Sequence, residues 1–158
     1  MTGQRVAIAR HAVERAPGRL VSVGLGSCVV IAIHDAAAQV GALAHVLLPL
    51  APDGAAGGHP ARYANTAVPL LVRTLAMHGA NGPYTARLVG GAAIFADVLT
   101  THGRIGDRNV AAARAALAAA RIPVVAEEVG GTVGRSVSFD VGTGAMAVRM
   151  PNGEAHVL

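Results

Sequence analysis

The stretch Gly24-Leu25-Gly26-Ser27-Cys28, running into Val29-Val30-Ile31-Ala32-Ile33-His34-Asp35 and returning through Val40-Gly41-Ala42-Leu43-Ala44-His45-Val46-Leu47-Leu48-Pro49, decides how this chain is read. Two apolar runs, the first rich in β-branched residues, flank a short connection, which is the pattern of an antiparallel hairpin. A tight connection at Asp35-Ala36-Ala37-Ala38 predicts pairing of His34 with Gln39, of Ile33 with Val40 and, further out, of Cys28 with His45. Directly opposed residues share a face with Cβ atoms about 4.5–5.5 Å apart. The predicted register therefore delivers the sole cysteine of the chain to an imidazole. A slip of one residue would move His45 to the opposite face.

Working outward, Arg5–Ala9 reads as a short strand, and Pro17-Gly18 as a turn before the strand Arg19–Val23. After Pro49 comes a Pro/Gly/Ala-rich loop over 51–61, either a mobile lid beside the hairpin or a plain connection. Residues 62–78 carry apolar positions at the spacing of one helical face. Gly79 is placed to stop that helix, and Pro69 is expected to kink it or mark its first turn. Thr85–Val89 reads as a strand leading to Gly90-Gly91-Ala92, where missing side chains allow another backbone or a substrate to come close. Asp107–Arg121 reads as a helix stopped by Ile122-Pro123. Val124–Val129 is a strand, 130–135 a turn, and 137–141 with 145–149 a closing hairpin about Gly142-Thr143-Gly144. Strands outnumber helices, so the expected class is α+β, with mixed or antiparallel sheets flanked by helices. At 158 residues, with no linker or repeat, residues 1–158 are expected to form a single domain.

Composition narrows the chemistry. The formal charge is +4, and every one of the 13 basic residues is arginine. The absence of lysine excludes Schiff-base chemistry, pyridoxal-phosphate linkage and a P-loop. The arginines are scattered and aromatics make up 3%, so neither a phosphate-tracking surface nor a base-stacking platform is expected, and the expected partner is not nucleic acid. One cysteine cannot form an internal disulfide, and neither a signal-peptide pattern nor an apolar run approaching ~18 residues is seen, which predicts a soluble, cytoplasmic protein without membrane insertion. The seven histidines show no zinc-ligand spacing beside the single cysteine. Gly24-Leu25-Gly26-Ser27-Cys28-Val29 lacks the third glycine of a dinucleotide fingerprint, so neither metal nor cofactor is expected.

A thiol becomes a nucleophile when a neighbouring base takes its proton, and His45 supplies that base to Cys28. Ser22, on the strand leading into the glycine turn, has a hydroxyl suited to orient the second ring nitrogen if that strand flanks the hairpin. The turn at Gly26 and Ser27 frees backbone amides, those of Ser27 and Cys28, to receive an oxyanion.

Five elements together resemble the chemoreceptor glutamine deamidases of the CheD family: Gly24-Leu25-Gly26-Ser27-Cys28-Val29, His45-x-x-Leu48-Pro49, Gly90-Gly91-Ala92, Ile105-Gly106-x-x-Asn109 and Gly130-Gly131-x-x-Gly134-Arg135. Each is weak alone, and all five in order are specific. The resemblance implies a sandwich-like cysteine-hydrolase fold similar to the cytotoxic necrotizing factor toxins. It also implies a protein-glutamine glutaminase that converts receptor glutamines to glutamate. By matching position, Cys28 is the nucleophile, His45 the base, and Ser22 stands where the family commonly has threonine. The chemoreceptor cytoplasmic helical domain is the implied substrate, and a CheC-type phosphatase a possible regulatory partner. The alternatives are a non-enzymatic module that binds such a phosphatase, and a thiol amidase acting on another protein.

Overall fold

The computed structural model describes residues 1–54, 57–94 and 103–158. It is an α+β structure of two five-stranded sheets and two helices. The strands are β1 (Gln4–Arg5), β2 (His11–Arg15), β3 (Arg19–Leu25), β4 (Val29–Asp35), β5 (Val40–Val46), β6 (Thr85–Gly90), β7 (Val124–Val129), β8 (Arg135–Asp140), β9 (Met146–Arg149) and β10 (Ala155–Val157). The helices are α1 (Ala64–Met77) and α2 (Ile105–Ala119).

One sheet has the order β1-β3-β8-β9-β10 and the other β2-β5-β4-β6-β7. Both are mixed: β1 runs parallel to β3 and β6 parallel to β7, while the other pairings are antiparallel. The parallel pair β6/β7 is joined through α2, as parallel neighbours require a crossover.

Strand β4 is buried along its whole length because both of its faces are covered. Val29, Ile31 and Ile33 pack toward α1 and α2, together with Val40, Ala42, Ala44 and Val46 of β5. Val30 and Ala32, with Leu43 of β5, pack against Leu20, Val137, Phe139 and Met146 of the first sheet. The layers are therefore sheet, sheet and helices, and the uninterrupted apolar run of β4 is what a doubly covered strand demands. At Gly41 an added Cβ would sit 2.6 Å from Phe139 Cε1, so this glycine lets the two sheets approach.

The hairpin register differs from the expected one. Asp35 pairs with Val40, Ile33 with Ala42 and Val30 with His45, because the connection is a four-residue turn over 36–39. Asp35 Oδ1 accepts the Ala38 N–H at 2.9 Å, and Gln39 adopts a positive φ of 51°. The displacement amounts to two residues, so every side chain keeps its face.

Pro69 lies inside α1. The buried stripe Ala64, Ala67, Val68, Leu71 and Leu75 carries the helix past an interior proline that costs ~3 kcal/mol. Helix α2 begins and ends two residues earlier than the pattern suggested. Strands β2 and β10 were not expected from the sequence, and the predicted strand at 5–9 shrinks to β1. Within the predicted loop over 51–61, Pro52–Gly54 and Pro60–Arg62 form short 3-10 turns, and residues 55–56 lie outside the described residues. Among those described, no helix is long and apolar enough to cross a membrane.

Candidate active site

Cys28 stands at the mouth of β4, one residue before its ladder begins. By the alternation of the strand its side chain belongs with Val30 and Ala32 on the face turned to the first sheet. His45, opposite Val30, is on that same face. The two are thus diagonal neighbours, not directly opposed ones, with backbones about 7–8 Å apart in a regular ladder. Both are buried, His45 to 1% exposure and Cys28 to 7%.

The two strand histidines of this hairpin have different environments. His34 Nε2 is bonded to the Val141 carbonyl at 2.7 Å, and its ring meets Phe139 edge-on, a structural role. Neither nitrogen of His45 makes a hydrogen bond of good geometry among the described residues, and the one polar group that acts on the ring is the Val6 backbone. A buried imidazole that lacks a well-aligned partner costs stability.

Burial pushes the Cys28 thiol above its ordinary pKa, and its own backbone N–H pulls the other way. Burial likewise lowers the pKa of His45, against a smaller opposing effect of the Val6 backbone. The resting pair is therefore a neutral thiol and a neutral imidazole, the form in which histidine can accept a proton.

Ser22 makes no hydrogen bond to the imidazole. Its strand β3 lies in the other sheet and faces the hairpin across the core, and its Oγ donates to the Val6 carbonyl at 2.7 Å. Val6 is held in turn by its N–H to Val21 O at 2.8 Å. A cavity of about 340 Å³ lined by Arg5, Val6, Ala7, Ile8, Val23 and His45 opens beside the ring. Ile8 and Val23 are exposed apolar side chains at this opening. The His45 strand is tied to the same segment by Ala9 N–H to His45 O (2.8 Å) and His45 N–H to Arg10 O (3.0 Å).

The turn before Cys28 is gripped by main chain. Gly26 O accepts from Ala92 N–H at 2.9 Å and Cys28 O from Gly91 N–H at 2.8 Å. Ser27 O accepts from Asn109 Nδ2 at 2.9 Å. A Cβ on Gly90 would collide with Cys28 O and lie 3.2 Å from Val29 Cα, at a φ of +119°. The expected close approach of a backbone to Gly90-Gly91 is thus the Cys28 peptide itself. Among the described residues, neither the Ser27 nor the Cys28 amide donates to another backbone acceptor. On the far side of the turn, a second cavity of about 480 Å³ is lined by Gly24, Gly26, Ile94, Gly134, Arg135, Ser136, Arg149, Met150 and Pro151. The buried Arg135 braces this edge, with Nη1 donating to Glu128 O at 2.9 Å and Nη2 donating to Gly130 O.

Sequence reasoning gave no role to two contributors. Val6 acts through its carbonyl, for which a sequence carries no signal. Asn109 was visible only as part of a motif, and the usable signal was a polar residue in the buried stripe Gly106, Val110, Ala113 and Leu117 of α2. No group of three or more His, Cys, Asp or Glu side chains among the described residues could hold a metal ion.

Residues 47–150 match the family model for CheD chemotactic sensory transduction. The chain belongs to the CheD family. Similarity to curated members extends beyond that span. The chain is 45% identical over 147 residues to the probable chemoreceptor glutamine deamidase CheD 2 of Geobacter metallireducens, covering 91% of each chain. It is 42% identical over 144 residues to the probable chemoreceptor glutamine deamidase CheD of Desulfitobacterium hafniense, covering 87% of each. The chemoreceptor glutamine deamidase CheD of Thermotoga maritima is 40% identical over 149 residues, 94% of this chain and 92% of that one.

Proposed function

We propose that this protein hydrolyses glutamine side chains of chemoreceptor cytoplasmic helices to glutamate, with Cys28 as nucleophile and His45 as general base. The observation that carries the reading is that the only thiol and a buried imidazole lie diagonal to each other on one face, at the start of β4 and opposite Val30. Supporting it are relatives named as chemoreceptor glutamine deamidases over most of the chain.

The reaction follows from these groups. Rotation of the two side chains closes the diagonal gap, since catalytic hydrogen bonds are commonly long before substrate binds. His45 takes the thiol proton as sulfur attacks the carboxamide carbon. The resulting oxyanion is received by the Ser27 and Cys28 amides of the Gly26-Ser27 turn. Collapse breaks the C–N bond, and the proton held by His45 leaves on ammonia. Water then adds to the thioester, its proton passing to His45, and the departing sulfur recovers that proton as glutamate is released. Ser22 contributes through the Val6 carbonyl, which its Oγ holds, and the Val6 backbone favours the protonated ring. No step calls for a metal or a cofactor. The apolar rim of Ile8 and Val23 suits a receptor helix laid across the opening. Domain unity over residues 1–158 and a cytoplasmic site of action belong to the same reading, as does a CheC-type phosphatase as regulatory partner.

Ammonia release and intact-mass change on a purified receptor cytoplasmic fragment test it. Wild type should release ammonia with a gain of about one dalton per site, whereas Cys28→Ala and His45→Ala should not. Folded wild type that releases none from a cognate receptor would overturn the reading in favour of a phosphatase-binding module, and release from other proteins alone would favour a thiol amidase of different substrate.

A further inference from the structure

Asn109 lies on the second turn of α2, fully buried. Its Nδ2 donates twice, to Ser27 O at 2.9 Å and to Leu47 O at 3.0 Å. Both acceptors are carbonyls, so the amide cannot be turned the other way round without setting three oxygens together. Ser27 immediately precedes Cys28, and Leu47 follows His45 by two residues. One side chain from the helical layer therefore ties the entry of β4 to the exit of β5, the two points from which nucleophile and base project.

We propose that Asn109 is a positioning residue that sets the Ser27–Cys28 peptide plane, and with it the direction of the Cys28 N–H toward the reacting centre. The inference rests on the cysteine-nucleophile reading above. A trans peptide is planar, with its C=O and N–H pointing in opposite directions. Once Asn109 holds the Ser27 carbonyl toward α2, the Cys28 N–H must point away from α2. That N–H has no backbone acceptor among the described residues, and its influence on the Cys28 thiol places it on the sulfur side. The neighbouring carbonyls of Gly26 and Cys28 are already fixed by Ala92 and Gly91, which leaves the Ser27 peptide as the one that a side chain must orient.

The amide's own hydrogen bonds come at a cost. Asn109 Oδ1 is buried without a partner among the described residues, a penalty of the same size as the net gain from two ordinary hydrogen bonds. An apolar residue would fill the helix stripe but leave the Ser27 and Leu47 carbonyls without their donor, so what the amide adds is a hold on those two carbonyls.

The test uses the full chain, comparing wild type, Asn109→Ala, the isosteric Asn109→Asp and Cys28→Ala. Deamidation of the receptor fragment should lose about 10- to 100-fold in kcat for both Asn109 variants, below the loss of a whole oxyanion donor, with KM within twofold. In the absence of substrate, the midpoint of the pH dependence of Cys28 alkylation by iodoacetamide should move to higher pH, because the thiolate loses an aligned N–H. A merely structural role would lower thermal stability and leave that midpoint in place. A folded Asn109 variant with unchanged midpoint and kcat overturns the inference. The alkylation arm needs no substrate, so it decides on Asn109 even if wild type fails to deamidate or Cys28→Ala proves active, outcomes that would refute the nucleophile reading instead.

Discussion

Replacing Gly106 by alanine sets helix propensity against close packing, and the structure says which prevails. Alanine is favoured over glycine by up to ~1 kcal/mol in a helix interior, and by less in the first turn where Gly106 lies. The added Cβ, however, would lie 2.6 Å from Gly91 O, 2.8 Å from Gly91 C and 2.9 Å from Ala92 O. All three are backbone atoms, so no rotamer relieves the clash. Reaching even the 3.0 Å floor of real Cβ contacts requires the helix start to withdraw from Gly91 by at least about 0.4 Å, and ordinary contact at 3.4 Å requires about 0.8 Å. Overpacking of this kind costs ~1–3 kcal/mol, which outweighs the propensity gain and should lower Tm by a few degrees in a chain of this size. The segment being pushed is the one whose amides hold Gly26 O and Cys28 O, and the helix being pushed carries Asn109. A 1 Å misplacement of reacting groups can cost about 100-fold, so roughly half that displacement should cost about 10-fold in kcat. Thermal unfolding by circular dichroism, with ammonia release measured well below the transition, reads both effects. A Tm at or above wild type together with kcat within twofold would refute the reasoning, showing that the contact between α2 and Gly91-Ala92 yields freely and does not set Cys28.

Burial holds the His45 pKa below its ordinary 6.5, so as pH falls the unfolded chain takes up that proton first. Its contribution to stability is full above about pH 6.5 and is lost as pH falls toward the folded value. Urea midpoints at pH 7.5 and 5.5 should therefore differ more in wild type than in His45→Gln, and equal differences would refute this. Ser22→Ala strips the buried Val6 carbonyl of its donor, which should cost ~1–3 kcal/mol in denaturant unfolding and lower kcat with KM unchanged. An unshifted midpoint with full activity would show that the bond orients nothing. Arg135→Ala leaves the Glu128 and Gly130 carbonyls without their guanidinium and should destabilise by ~2–4 kcal/mol, a claim that fails if Tm stays within a degree of wild type.

Hairpin periodicity was legible because each run keeps one parity, and parity survives a register error of two. That is why Cys28 and His45 share a face although their direct pairing was misjudged. The error lay in the turn: Asp35 closes a four-residue connection through its own carboxylate, a choice that Asp-Ala-Ala-Ala does not announce. The short strands β2 and β10 escaped notice because strands held at a sheet edge need little apolar pattern of their own. Sequence singled out His45 through its register and the His45-x-x-Leu48-Pro49 match, but it could not show that His34 is held by the carbonyl of Val141, brought from over a hundred residues away. The link from Ser22 to Val6 joins two backbone neighbourhoods across 16 positions, and no local spacing encodes it.

Cys28 and His45 ride on one sheet, while Ser22 and the Val6 carbonyl ride on the other. Their alignment is therefore a matter of how two slabs lie on each other. Between the slabs stand mostly apolar side chains, which grip without direction, and the His34–Val141 bond, whereas within each slab hydrogen-bonded ladders resist distortion. Sliding one slab over the other by a single residue, about 3.3 Å, would dismantle the site while leaving nearly every ladder bond intact. On the proposed function, alignment of the site is thus the softest property of this molecule, and on warming activity should fade before the strands themselves give way.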